Sequence, residues 1–143
     1  FPIGGVHLPE KKELTNDQKI KIMPAPKEVA IPLLQHIGAP AEPIIEVGDM
    51  VKKGECIAKL QGKISANVHS SVNGVVKGIV ERKKPGQGSY KCILIQKKEI
   101  QNTESKKEDS DRTVLPDAET IRKKVEAAGV IGMGGAGFPT HVK

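Results

Sequence analysis

Towards its carboxyl end the chain reads Gly132-Met133-Gly134-Gly135-Ala136-Gly137-Phe138-Pro139-Thr140-His141-Val142-Lys143, with four glycines in six positions. Glycine carries no Cβ, so a run of this kind lets backbone N–H groups converge on an anion or lie flat against a ring. The segment before it has a helical pattern, so the glycines begin a new element. The run lacks both the spaced glycines of G-x-G-x-x-G and the Gly-Lys-Ser/Thr of a P-loop. It stands at the end of the chain, and a site started there needs residues further on. The expectation is one part of a larger nucleotide- or flavin-handling protein.

Other residues that could do chemistry are few. His7, His36 and His69 have no second His, Cys or carboxylate at ligand spacing, so each reads as a hydrogen-bonded structural histidine. Ser70 and Ser71 follow His69 without the G-x-S-x-G elbow that would expose a nucleophile, which argues against a hydrolase. Cys56 and Cys92 lie inside apolar, strand-like runs and read as buried free thiols in a reducing compartment. Two cysteines with no C-x-x-C spacing encode neither a zinc nor an iron–sulfur site. No catalytic residue and no metal ligand is expected in this stretch.

Composition narrows the class. At 143 residues there is room for one compact domain and a short second element. Apolar residues are 37% but aromatics only 2%, so the core must be Val, Ile, Leu and Ala, as in small β-rich modules. The net charge of +6 invites a nucleic-acid reading. The lysines are spread along the whole chain, and Phe1, Tyr90 and Phe138 cannot form a stacking platform, so nucleic acid is rejected for a solvated basic surface. No apolar run is long enough to span a bilayer and no signal peptide is visible.

The elements that must position the glycine run come next. Residues 1–26, rich in Pro and Gly, read as an extended segment wrapping a domain. Strand-like runs follow at Val29–Leu33, Ile44–Val47, Cys56–Leu60, Ile64–His69, Val75–Val80 and Tyr90–Gln96. Gly48-Asp49 reads as a turn and Val72-Asn73-Gly74-Val75-Val76 as an Asn-Gly hairpin. Residues 101–114 are almost wholly polar and read as a linker. From residue 115 a helix is predicted, capped by Asp117, with Glu119 in its first turn and an apolar stripe of Ile121, Val125 and Ala128. Gly129 ends it. The predicted domains are therefore 1–26, 27–100, 101–114 and 115–143.

The pair of turns, G-D-x-V and N-G-V-V some twenty residues apart, resembles the biotinyl/lipoyl-carrier type of barrel-sandwich hybrid over residues 28–98. By that resemblance Lys63 would sit where carriers attach their prosthetic group. Its neighbours are Gly62 and Ile64, where biotin sites carry Met on both sides and lipoyl sites Asp and Ala. Lys63 therefore reads as an exposed turn lysine, not a modification site.

A second resemblance covers the whole chain. The glycine run is similar to the G-R-G-G-A-G-F-P-T-G-x-K signature of the flavin- and NADH-binding subunit of respiratory complex I, departing at Met133 for Arg and His141 for Gly. Phe1-Pro2-Ile3-Gly4-Gly5-Val6-His7-Leu8-Pro9-Glu10, Ile31 to Pro40, Val47 to Val51 and Ser65 to Gly74 all resemble the RnfC components of Rnf electron-transport complexes. The sodium-pumping NADH:quinone reductase type shares the two turns but not the Gly-Gly-Ala-Gly-Phe-Pro-Thr-His-Val-Lys string.

The Rnf resemblance implies a mainly β barrel-sandwich domain followed by the start of a complex-I-like α/β domain. It implies FMN and NAD(H) in the full-length protein, with [4Fe–4S] clusters downstream of these residues and none of these bound by this stretch alone. Gly132, Gly134, Gly135 and Gly137 would then line the flavin and nucleotide phosphates, and Lys143 would contact the FMN. The implied activity is electron exchange between NADH and ferredoxin coupled to ion transport, at the cytoplasmic face of the membrane. The other Rnf subunits would be its partners, and ferredoxin or NADH the redox partners of the complex. The alternative reading is a non-catalytic, carrier-like module that docks partner subunits.

Overall fold

The structure, a computed structural model, describes residues 4, 9–24, 26–84, 88–99 and 116–143. The predicted linker and most of the Phe1–Pro9 motif, including His7, lie outside the described residues. Seven strands build two facing sheets. β1 (Glu28–Pro32), β7 (Gly88–Lys97), β6 (Gly74–Lys84) and β3 (Met50–Val51) form one, in that order, antiparallel throughout. β2 (Glu42–Pro43), β4 (Cys56–Lys59) and β5 (Val68–His69) form the other. Ile57 and Ala58 from one sheet meet Val76, Ile93 and Ile95 from the other in a single buried cluster. Each large aliphatic side chain of this kind contributes about 1.5–3 kcal/mol by leaving water. The protein is mainly β with one α-helix among the described residues, as the sequence leads one to expect.

Pro32 and Pro43, which have no N–H to give a neighbour, fall on edge strands of their sheets. Cys92 is buried and Cys56 half-buried, and both are free thiols. Burial pushes the Cys92 thiol up from its ordinary value, against the opposing pull of Arg82.

Three expected elements differ. Ile44–Val47 is not a strand: the Asp49 carboxylate accepts from Glu46 N–H at 2.7 Å and turns the chain there, leaving the sheet contact to Glu42–Pro43. Ile64–His69 shrinks to Val68–His69, because Ile64, Ser65 and Ala66 are tied to the loop at 36–39. Ala39 N–H donates to Ile64 O at 3.0 Å, Ser65 Oγ to Ala39 O at 2.9 Å and Ala66 N–H to His36 Nε2 at 3.1 Å. Asn73-Gly74 makes no hairpin. Asn73 Oδ1 accepts from Lys53 N–H at 2.7 Å, and Gly74 is needed because a Cβ there would overlap the carbonyl of Gln96 on β7. The hairpin is instead formed by β6 and β7, whose pairing continues through Lys84↔Gly88.

Candidate functional site

Helix α1 (Ala118–Ala127) begins where Asp117 accepts from Thr120 N–H at 3.2 Å, a bond that holds the Asp117 carboxyl below its usual range. It ends at Gly129, in the left-handed region with φ +65°, whose N–H donates to Glu126 O at 3.0 Å. The apolar stripe of α1 is not packed as its periodicity predicts. No residue of the helix is buried and Ile121 is 47% exposed, and the barrel's hydrogen bonds reach the helix at its C-terminal end.

The barrel makes that contact through a polar side chain. Asn67 Nδ2 donates to the carbonyls of Glu126 at 3.1 Å and Ala127 at 3.3 Å, while Asn67 Oδ1 accepts from Leu60 N–H at 3.0 Å. A Cβ on Gly129 would overlap the Asn67 carbonyl oxygen. Backbone therefore lies directly on backbone.

Beyond Gly129 the chain forms β8 (Ile131–Gly132) and β9 (Phe138–Pro139), which pair antiparallel and close Met133–Gly137 into a loop. A short 3-10 turn, Thr140–Val142, then packs back on α1, with His141 Nε2 at 4.0 Å from Glu126 Oε2. Gly137 ties the loop to the barrel. Its carbonyl accepts from Ile37 N–H at 3.3 Å, and a Cβ on it would sit 3.2 Å from His36 Cα.

Between this loop and the barrel lies a cleft of about 720 Å³. Its barrel wall comes from the 34–37 loop and residues 66–69, and its other wall from Gly129, Ile131, Met133 and Gly135–Gly137. The volume is within the range of small-molecule sites. No Lys, Arg, Asp or Glu lines it, so its walls suit an uncharged group.

The predicted residues divide. Gly135 and Gly137 line the cleft; Gly132 is taken up in β8, and Gly134 lies in the adjoining exposed loop. Lys143 is outside, exposed, with Nζ 5.9 Å from the centroid of the Phe138 ring. Nothing lies within 4 Å of a Cβ placed on Gly134 or Gly135, so the protein's own packing does not require glycine there. The open space beside Gly135 leaves room for a ligand group, and a phosphate would have to meet backbone N–H groups or Lys143 from outside.

His36 is the hydrogen-bonded structural histidine that the sequence suggests, whereas His69 lines the cleft. His36 is buried, and since Nε2 accepts from Ala66 N–H the proton is assigned to Nδ1, 2.9 Å from Ile37 O. Ser70 Oγ is committed to Val72 O at 2.7 Å. Lys63 is exposed on the connection from β4 to β5. Among the described residues no three His, Cys, Asp or Glu side chains gather as metal ligands, and no helix is long and apolar enough to cross a membrane. Sequence reasoning missed the barrel wall of the cleft, above all Asn67. Its signal was a lone amide between Ala66 and Val68, both buried.

Two sheets closing on one aliphatic core define a barrel-sandwich hybrid. The chain matches the RnfC barrel sandwich hybrid domain over residues 2–100 and belongs to the RnfC family. One relative is the RnfC-type component of the proton-translocating ferredoxin:NAD(+) oxidoreductase complex of Clostridium ljungdahlii, 42% identical over 98% of this chain and 31% of that protein. Its counterpart in the Na(+)-translocating complex of Acetobacterium woodii is 36% identical, over 98% of this chain and 32% of that protein. With the corresponding component of the ion-translocating oxidoreductase complex of Pseudomonas aeruginosa the identity is 38%, over all of this chain and 18% of that protein. The chain thus spans about a third or less of the length of these relatives.

Proposed function

We propose that these residues are the barrel and the first part of the cofactor domain of an RnfC component in an ion-translocating ferredoxin:NAD+ oxidoreductase complex. The observation that carries this is similarity along nearly the whole chain, from barrel through glycine loop, to components of such complexes. The domain division at 27–100, 101–114 and 115–143 belongs to the same reading. In the complete protein the glycine loop binds FMN, with NAD(H) as substrate and [4Fe–4S] clusters held downstream. Cys56 and Cys92 cannot supply the four thiolates a cluster needs. Bound FMN exchanges electrons in pairs with NADH and singly with iron–sulfur centres.

This chain's own residues prepare the site. Gly135 leaves the cleft wall open, Gly137 anchors the loop to the barrel, and Gly132 fixes its neck through β8. Gly134 and Lys143 serve the phosphate end. The protein sits peripherally on the cytoplasmic face, bound to the other Rnf subunits, and residues 1–143 alone are inactive. The proton- and sodium-translocating relatives match this stretch with similar identity, so the coupling ion is chosen elsewhere in the complex.

The test is Gly135→Ala in the full-length protein. The added methyl meets no protein atom, so the folding stability stays within about 0.5 kcal/mol of wild type. FMN content and NADH oxidation with an artificial acceptor should fall by about tenfold or more. Unchanged flavin content and turnover would remove the loop from the site.

A further inference from the structure

The barrel's hydrogen bonds to α1 are made at the end of the helix that feeds the glycine loop. That end carries the partial negative charge of its unpaired carbonyls. Asn67 donates to two carbonyls there: that of Ala127, and that of Glu126, which also accepts from Gly129 N–H; β8 starts two residues beyond Gly129, at Ile131. Asn67 is itself held from behind by Leu60 N–H, so its amide is oriented before the helix arrives. A second tie at Gly137 fixes the far end of the loop to His36 and Ile37. The loop is thus pinned at both ends by the barrel, while no residue of α1 is fully buried.

We infer that Asn67 is a positioning residue for the cofactor site: by capping the C-terminus of α1 it sets the height and direction of the glycine loop over the cleft. The claim rests on the flavin reading of that loop. The barrel is then a working part of the cofactor domain and not only a docking module. Asn67 does not need to touch the ligand. It acts through the helix end, as a support that determines where Gly135 stands.

Asn67→Asp separates this role from a packing role. The replacement has the same shape and keeps the acceptor for Leu60 N–H, but it loses the donor and sets an anion against two helix carbonyls. In the full-length protein, FMN titration should give a dissociation constant raised about tenfold. The visible circular dichroism of bound FMN should be reduced even at saturation. Amide exchange across residues 118–137 should quicken, while that of β6 and β7 stays as in wild type. Gly129→Ala breaks the same contact from the helix side and should do the same. Asn73→Asp, which alters an amide accepting a backbone N–H inside the barrel, should change none of these. Faster exchange at 118–137 with unaltered FMN affinity and dichroism would overturn the positioning role and leave the flavin reading standing. A wild-type protein that takes up no FMN would overturn the flavin reading, and the positioning role with it.

Discussion

The barrel and the segment after it are held by opposite means. Between residues 28 and 97 the chain buries a continuous aliphatic cluster, with Ile57, Ile93 and Ile95 fully out of water. Between 116 and 143 the only buried residue is Pro139, and the segment is attached through amide, carbonyl and glycine contacts. A core of branched aliphatics makes a unit that opens all at once. A backbone contact of few residues opens locally, at a fraction of the global cost. The difference teaches that the barrel is scaffold and the glycine loop an appendage whose geometry it sets.

The largest blow to the comparison is Ile93→Ala. At zero exposure in the cluster it should cost about 2–5 kcal/mol, read as a lower chemical-denaturation midpoint for the barrel. A cost under about 1 kcal/mol would mean the core is looser than it looks. Gly137→Ala comes next. Its φ of +67° and the approach of His36 should together cost about 1–3 kcal/mol of docking, seen as faster amide exchange at 131–139 with the barrel midpoint unmoved. A drop in the barrel midpoint itself would erase the distinction between the two regions.

The smallest effect belongs to Asp117. Its folded carboxyl titrates below its ordinary value, so the cap contributes above the unfolded-state range and is lost as pH falls through the lowered value. Exchange at Thr120 N–H, relative to the intrinsic rate at each pH, should quicken on acidification in wild type. In Asp117→Ala it should already be fast at neutral pH, with little further change. A pH response that survives the substitution would assign it to another group.

How much of this was legible beforehand varied with the physics. Strands whose apolar residues fill the core, β1, β4, β6 and β7, were placed within a few residues, because burial imposes their pattern. The helix start and stop were equally plain, since Asp117 and Gly129 are local signals. Asn73-Gly74 has the form of a hairpin turn, but its glycine answers a long-range approach to β7, which no neighbouring residue announces. At 64–66 the backbone is held by the His36 loop; Ala66 meets a partner thirty residues away in sequence. The cleft was half visible. The glycine run showed one wall, whereas the opposite wall is assembled from loops whose residues carry no chemical signature together. Lys143 lies over the Phe138 ring instead of lining the cleft, a placement that a motif match cannot supply.

The pairing of β1 with β7 has a consequence for synthesis. Glu28 finds its partner only when Gln96 has been made, so the first sheet cannot close until the ribosome has delivered almost the whole barrel. Residues 118–143 come off later. With domains folding as units in the order they emerge, the helix arrives at a finished surface on which Asn67 and the His36 loop already stand. The barrel then serves the nascent chain as a mould, and an error in it would be inherited by the glycine loop as that loop first forms.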